Sequence, residues 1–160
     1  MSVIGIITQN NNIIETEENI NKYPINLENT IIINEENAEN ILHVKFDIVV
    51  IYEDIKPTAT IRKVLNGAKY LIINADYKNN LELVNQDTEA YVITYGFKSK
   101  STITIISNEN DEIILEIQRE IEDINKQKID PQEIKIERKF GKKRIYEEIA
   151  IKILKKIAKI

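Results

Sequence analysis

Residues 47–74, DIVVIYEDIKPTATIRKVLNGAKYLIIN, decide the fold. Two short apolar runs, at 47–52 and 70–74, enclose a segment at 57–66 that begins with a proline and is followed by Gly67. Proline suits the first turn of a helix, and glycine suits its end. Nearly continuous apolar runs are typical of strands that are buried on both faces of a parallel sheet. The stretch therefore predicts a strand, a helix and a second strand joined by a parallel crossover.

The same alternation continues on both sides of this stretch. Apolar runs bounded by polar turns predict further strands at 3–8, 30–34 and 91–95, and further helices at 35–43 and 78–85. Residues 9–28 predict a loop or a short helix. The pattern predicts an α/β fold: a three-layer, Rossmann-like, mostly parallel sheet with helices on both faces.

The pattern changes after Gly96. Segments 101–106, 112–118 and 132–137 alternate apolar and polar residues, which indicates strands with one buried and one wet face. We expect them to form a small antiparallel sheet apart from the parallel one. A C-terminal helix at 143–160 follows, and its apolar stripe is expected to pack on the core. The stripe consists of Ile145, Ile149, Ile153, Leu154 and Ile157.

Length and composition fit one soluble domain. The chain has 160 residues and no cysteine, which excludes disulfides and thiolate chemistry. No run of about 20 apolar residues and no signal pattern is present, so a cytoplasmic location is expected. We divide the single domain 1–160 into a parallel part at 1–96, the small antiparallel sheet at 97–142 and the helix at 143–160.

Charge is spread unevenly along the chain. Residues 138–160 hold nine Lys or Arg against two Glu, whereas residues 1–137 hold 13 basic and 24 acidic residues. A basic tail can contact nucleic acid or membranes. Positive charge near a helix C-terminus is also favoured by the helix dipole. We interpret the tail in this second way and expect neither nucleic acid nor membrane as a partner.

The loop after the first strand stands where many nucleotide-binding domains hold phosphate. A phosphate loop needs glycines, a lysine and a hydroxyl residue. The loop here is Gln9, Asn10, Asn11 and Asn12, with Thr8 at its edge. The sequence therefore predicts that this loop does not bind phosphate.

Residues 70–107 carry two short motifs, Asn74-Ala75-Asp76 and Thr94-Tyr95-Gly96. Their order and spacing resemble the central, ATP-binding domain of the Mur ligases, the family that joins amino acids to the peptidoglycan precursor. That family has Asn-x-Asp-Asp after one strand and T-[YF]-G after the next. Tyr77 stands here where the second Asp is usual, and the family's phosphate loop, T-G-T-N-G-K-[ST], has no counterpart.

The resemblance implies a stand-alone, degenerate central domain that binds without catalysing. We expect a weak nucleotide or small-molecule cleft at the carboxyl edge of the strands. In the family the first Asn lies near the adenine, so Asn74 is the first candidate and an adenine nucleotide is the candidate ligand. The resemblance also places Asp76, Thr94 and Tyr95 at this pocket. Substituting Asn74 by Ala is expected to weaken such binding.

Two alternatives remain open. The first is a protein-interaction or regulatory subunit linked to cell-wall synthesis, with helix 143–160 and the wet face of the antiparallel strands as contacts. The second is an enzyme that uses Glu53, Asp54, Asp76 or Tyr95 for acid–base work. Glu53 and Asp54 are also weak candidates for a metal pair, whereas the single histidine, His43, is interpreted as structural or surface. A homodimer is expected only because such dimers are common.

Overall fold

The structure is a computed structural model that describes residues 2–9, 11–26, 28–84, 88–98, 100–141 and 144–160. Four residues of the predicted loop, helices and basic tail lie outside the described residues: Asn10, Asn85, Lys142 and Lys143. The predicted α/β class is confirmed, because a mostly parallel sheet is combined with helices and closed by a C-terminal helix.

The elements follow the predicted order. The parallel strands are β1 (Ile4–Ile7), β2 (Thr30–Ile33), β3 (Ile48–Ile51), β4 (Tyr70–Asn74) and β5 (Tyr91–Gly96). The helices are α1 (Ile13–Ile20), α2 (Glu35–Ala38, continued by a 3-10 turn at Glu39–Ile41), α3 (Ala59–Asn66), α4 (Lys78–Leu83) and α5 (Ile145–Ala158). The later strands are β6 (Ile103–Glu109), β7 (Glu112–Ile117), β8 (Ile121–Glu122), β9 (Lys128–Ile129) and β10 (Gln132–Glu137).

The main sheet has the strand order β10-β7-β6-β5-β4-β3-β1-β2. Strand β1 lies between β2 and β3 and is parallel to both. The chain therefore leaves β1 toward one edge of the sheet and then crosses back to the other side. In open α/β sheets, ligands bind at such a reversal, outside the carboxyl ends of the strands.

The antiparallel strands differ from the prediction in one respect. Strands β6, β7 and β10 pair with one another as antiparallel neighbours, as predicted. They nevertheless continue the main sheet, because β6 pairs in parallel with β5 at Tyr95–Ile103 and Gly96–Thr104. An alternating pattern indicates that one face of a strand is exposed to solvent. It does not indicate which strand pairs with it in the sheet. The separate small sheet consists of β8 and β9.

The core fills both faces of the sheet. One face packs against α5, whose predicted apolar stripe is buried, and the other packs against α2, α3 and α4. The β8–β9 hairpin closes the first face, because Tyr70 donates to the Asp123 carbonyl at 2.8 Å and Lys159 pairs with the Asp123 carboxylate at 3.0 Å. Among the described residues, no helix has both the length and the apolar character to cross a bilayer.

Candidate functional site

A cleft of about 540 Å³ opens at the carboxyl ends of β1, β3 and β4, which we call the switch-point cleft. Residues from four parts of the chain form its walls. They are Gln9 and Asn12 before α1 with Glu15, Thr16 and Asn19 of α1, residues 52–54 after β3, Tyr77 after β4, and Phe140, Arg144, Tyr146 and Glu147 at or near the start of α5. The cleft lies where the strand order reverses between β1 and β3. Its volume is in the range of small-molecule sites.

Glu53 ties the end of β1 to the start of α1. Its carboxylate accepts hydrogen bonds from the Thr8 hydroxyl at 2.5 Å and from the Asn12 amide at 3.1 Å. The Thr8 hydroxyl also lies 2.8 Å from the hydroxyl of Thr16 on α1. In phosphate-binding loops, the anion is held in the corresponding space between a strand and the next helix. Because the protein places its own carboxylate there, a phosphate would be repelled.

Arg144 is the only cation that lines the cleft among the described residues. Its Nε and Nη2 lie 2.8 and 2.6 Å from Glu147 Oε2. The Tyr23 hydroxyl donates to the same oxygen at 2.6 Å. The guanidinium stacks 4.1 Å from the centre of the Phe140 ring. The positive charge of Arg144 is therefore already compensated within the wall.

The tyrosines of the cleft stay protonated at neutral pH. Burial raises the pKa of Tyr52 above its ordinary value, and the negative charge of Glu147 raises it further. Burial also raises the pKa of Tyr77, and the Asp54 carboxylate adds to this effect. Their hydroxyls can therefore donate hydrogen bonds but cannot act as bases. The carboxylates of Glu147 and Asp54, which contribute to these higher pKa values, are two of the negative charges that line the cleft.

Tyr146 forms the wall between Tyr77 and the end of β5. Its hydroxyl donates to Asp76 Oδ2 at 2.7 Å, and burial together with this hydrogen bond raises its pKa. The centre of its ring lies 5.7 Å from the centre of the Tyr77 ring and 6.3 Å from the centre of the Phe97 ring. Asp76, a predicted ligand-binding residue, does not line the cleft. It acts as a positioning residue for Tyr146.

Asn74, the predicted adenine-binding residue, lies under the cleft and has no exposed surface. Its Nδ2 donates to the Tyr52 carbonyl at 3.0 Å, and its Oδ1 accepts from the Asp76 N–H at 3.0 Å. A ligand could form hydrogen bonds with this amide only if the amide gave up its bonds to Tyr52 and Asp76. The adenine-binding role of Asn74 stays a prediction.

Thr94 and Tyr95, the other two predicted ligand-binding residues, also lie outside the lining of the cleft. The Thr94 hydroxyl accepts from the backbone N–H of Thr102 at 3.0 Å. Tyr95 is fully buried, and its hydroxyl donates to the Tyr146 carbonyl at 2.9 Å. Both side chains therefore hold neighbouring elements in place, and their ligand-binding role stays a prediction.

The two motifs of residues 70–107 touch each other. The Asp76 carboxylate accepts the backbone N–H of Phe97 at 3.0 and 3.1 Å, and Ala75 donates to the Tyr95 carbonyl at 2.8 Å. A Cβ at Gly96 would collide with the Asp76 carboxylate. The glycine therefore permits the contact between the ends of β4 and β5.

Replacing Gly96 by Ala is expected to lower the free energy of unfolding by about 1–3 kcal/mol, because the carboxylate must move away from Phe97 and Tyr146. Urea unfolding followed by circular dichroism measures this change. Gly67→Ala is the control, since the one contact of an added Cβ within the described part of the chain would be the Val64 carbonyl at an ordinary 3.8 Å. Equal stability of the two variants would contradict the account of Gly96.

Glu53 and Asp54 follow β3 at the cleft, as the sequence predicted. The Asp54 carboxylate accepts from the Asn79 amide at 3.1 Å, and both oxygens of Glu53 accept hydrogen bonds. Among the described residues, no group of three metal-ligating side chains converges. Their use as a metal pair stays a prediction. His43 is exposed in the turn before β3, consistent with a surface role.

Sequence reasoning missed the wall that comes from the start of α5. Arg144, Tyr146 and Glu147 lie about 90 residues along the chain from β3, and only tertiary packing brings them to the cleft. The one available signal is that Glu147 and Glu148 interrupt a strongly basic segment. Both are almost fully buried, which is unusual for carboxylates unless they are paired.

No protein-family model matches the chain. No match is found among curated proteins either. The resemblance to the Mur ligases therefore stays a prediction.

Proposed function

We propose that the protein is a binding module that holds a small molecule in the switch-point cleft. The observation that carries the proposal is the cleft itself, which lies at the strand reversal and is walled by residues that follow three parallel strands and by residues in or near two helices. Its tyrosines are protonated, and both oxygens of Glu53 are engaged in hydrogen bonds. These groups suit recognition better than acid–base catalysis.

The charge of the cleft selects an uncharged or cationic ligand. Four carboxylates line it, from Glu15, Glu53, Asp54 and Glu147, and Arg144 is already paired. Aromatic rings and protonated hydroxyls on the same walls suit a flat ring with polar edges. A nucleoside fits this description, whereas the phosphates of a nucleotide would be repelled at Glu53.

The proposal includes a degenerate Mur-ligase-like central domain, which would explain a nucleoside site without a phosphate grip. The support is the predicted order of elements and the contact between Asn74-Ala75-Asp76 and Thr94-Tyr95-Gly96. Adenosine is accordingly the first ligand to test. Ligase activity is no part of the proposal.

Thermal shift with adenosine, ATP with and without magnesium, and UDP-sugars tests this function. A ligand that binds only the folded state stabilises it by about 2.7 kcal/mol at a concentration one hundred times its Kd. We expect adenosine to raise the melting temperature by at least as much as ATP does. Substituting Tyr77 by Leu should remove the shift, whereas Phe97→Leu, outside the cleft lining, should retain it.

A shift with ATP that requires magnesium, and no shift with adenosine, would overturn the proposed ligand class. Retention of the adenosine shift in the Tyr77→Leu variant would place the ligand elsewhere. No shift with any of the compounds would favour the interaction subunit. That second candidate is supported by lysines on α5 and β10 that pair with no carboxylate among the described residues.

A further inference from the structure

A second, smaller cavity of about 190 Å³ lies between residues 23–25, β10 and α5. Its floor is apolar and contains Ile25, Ile136 and Ile151. Small-molecule sites usually measure roughly 300–1,000 Å³. A cavity of this size suits a single aliphatic side chain better than a whole ligand.

Four lysines line this cavity, which we call the lysine-rimmed groove: Lys135, Lys139, Lys152 and Lys155. Within the described residues, none of their ammonium groups pairs with a carboxylate. Two carboxylates also line the groove. That of Glu148 is held by the backbone N–H groups of residues 139 and 140, and Glu137 is the other. The described rim is therefore positive, although the whole chain carries a net charge of −4.

The complementary surface is present on α1. Ile14 is 74% exposed, the most among the large apolar side chains of the described residues. Glu17 and Glu18 follow three and four positions later, which places them on the same helical face. Both are exposed, and neither pairs with a cation among the described residues. We call these three residues the acidic knob.

We propose that the acidic knob of one copy docks into the lysine-rimmed groove of a second copy. Ile14 fills the apolar floor, and Glu17 and Glu18 face Lys152 and Lys155. The apolar side chain of Ile14 suits the small apolar cavity, and the knob and the groove rim carry opposite charges. Each chain carries one knob and one groove, so two copies related by a two-fold axis can make the contact twice. If two copies instead met head to tail, one knob and one groove would stay free, and further copies could add to form longer assemblies.

Light scattering coupled to size exclusion tests this contact over a range of protein concentrations. We expect the wild-type mass to rise toward twice the chain mass with concentration, and to fall with added salt because the charges are exposed. Two charge reversals should each give a monomer: Glu17→Lys with Glu18→Lys, and Lys152→Glu with Lys155→Glu. Circular dichroism confirms that both variants remain folded.

Mixing the two reversed variants gives the decisive result. In a mixed pair, one contact has its native charges and the other has both charges exchanged, so both contacts are attractive again. An equimolar mixture should therefore regain the dimer mass that neither variant shows alone. Lys45→Glu with Lys63→Glu is the control for net charge, since both lysines are exposed and line neither cavity.

Three outcomes would overturn the proposal. They are a wild-type protein that stays monomeric at every concentration, association that survives both groove and knob reversals, and a mixture of folded variants that stays monomeric. The contact is independent of ligand binding, so failure of either proposal leaves the other unaffected.

Discussion

Substituting Asn80 by Ala is expected to lower the free energy of unfolding by about 3 kcal/mol or more. Asn80 is fully buried at the third position of α4. Its Oδ1 accepts the N–H of Ile55 at 3.0 Å, and its Nδ2 donates to the carbonyls of Glu53 and Asn74 at 2.9 and 3.0 Å. Truncation would remove the Asn80 partner of three backbone groups, two of them in fully buried contacts. Each such group costs about 1–3 kcal/mol.

Urea unfolding of both this variant and its neighbour measures the effect. Asn79→Ala is the control, because Asn79 is only partly buried and its side chain makes, among the described residues, a single hydrogen bond, to Asp54. It should change stability by less than about 0.5 kcal/mol. Asn80→Asp separates hydrogen bonding from size, since a carboxylate still accepts from Ile55 but is repelled by two carbonyls. Stability of Asn80→Asp close to that of the wild type would contradict this account.

The Asn80 network explains how the sequence holds the floor of the switch-point cleft. The Asn74 side chain donates to the Tyr52 carbonyl. The Asn80 side chain donates to the Glu53 carbonyl and accepts from the Ile55 N–H. The segment after β3 has no regular structure between residues 52 and 58. Its backbone polar groups therefore depend on side chains from β4 and α4.

The parallel part of the fold could be predicted from the sequence because its signal is local. Strand β4 coincides with the predicted 70–74, and all five of its positions are buried. The helix predicted at 35–43 is shorter, because α2 ends at Ala38 and only a 3-10 turn follows. The β8 and β9 strands were not predicted, because strands of two residues each are too short to show an alternation of apolar and polar residues.

The site was predictable only where its residues follow a strand. In open α/β sheets, ligands bind outside the carboxyl ends of the strands. Glu53 and Asp54 come nearly directly after β3, so this rule was enough to predict that they lie at the cleft. Asn74 is also at the carboxyl end of a strand, β4, but its amide is buried and forms hydrogen bonds with the Tyr52 carbonyl and the Asp76 N–H. Sequence position therefore gave the edge of the sheet, whereas the direction of each side chain depends on neighbouring loops. The walls from α5 required tertiary structure.

Helix α5 connects the two proposed surfaces. Tyr146 and Glu147 in its first turn line the switch-point cleft, whereas Ile151, Lys152 and Lys155 face the lysine-rimmed groove. Glu148 lies between them and holds the preceding segment through the N–H groups of residues 139 and 140. One rigid element thus sets the geometry of both, so loss of its first turn should impair ligand binding and self-association together.

Replacing Glu147 by Leu should destabilise the protein by about 3–5 kcal/mol. The Glu147 side chain is 5% exposed and that of Arg144 is 19% exposed. The substitution removes the carboxylate and leaves a mostly enclosed guanidinium without its ion-pair partner. Tyr23 also loses the acceptor of its hydroxyl. Removing both charges in Arg144→Leu with Glu147→Leu should cost less than the sum of the single variants.

A double-mutant cycle by urea unfolding measures that coupling, which we expect to exceed about 1 kcal/mol. The surface pair of Lys126 and Glu122 provides the comparison, because its N···O distance is 3.2 Å but its lysine side chain is 72% exposed. Exposed pairs of this kind couple by about 0.3–0.5 kcal/mol. Additive effects of the Arg144 and Glu147 substitutions would mean that the guanidinium is balanced by solvent. In that case Arg144 would be free to attract an anion, and phosphate would be excluded from the cleft only by the carboxylates that line it.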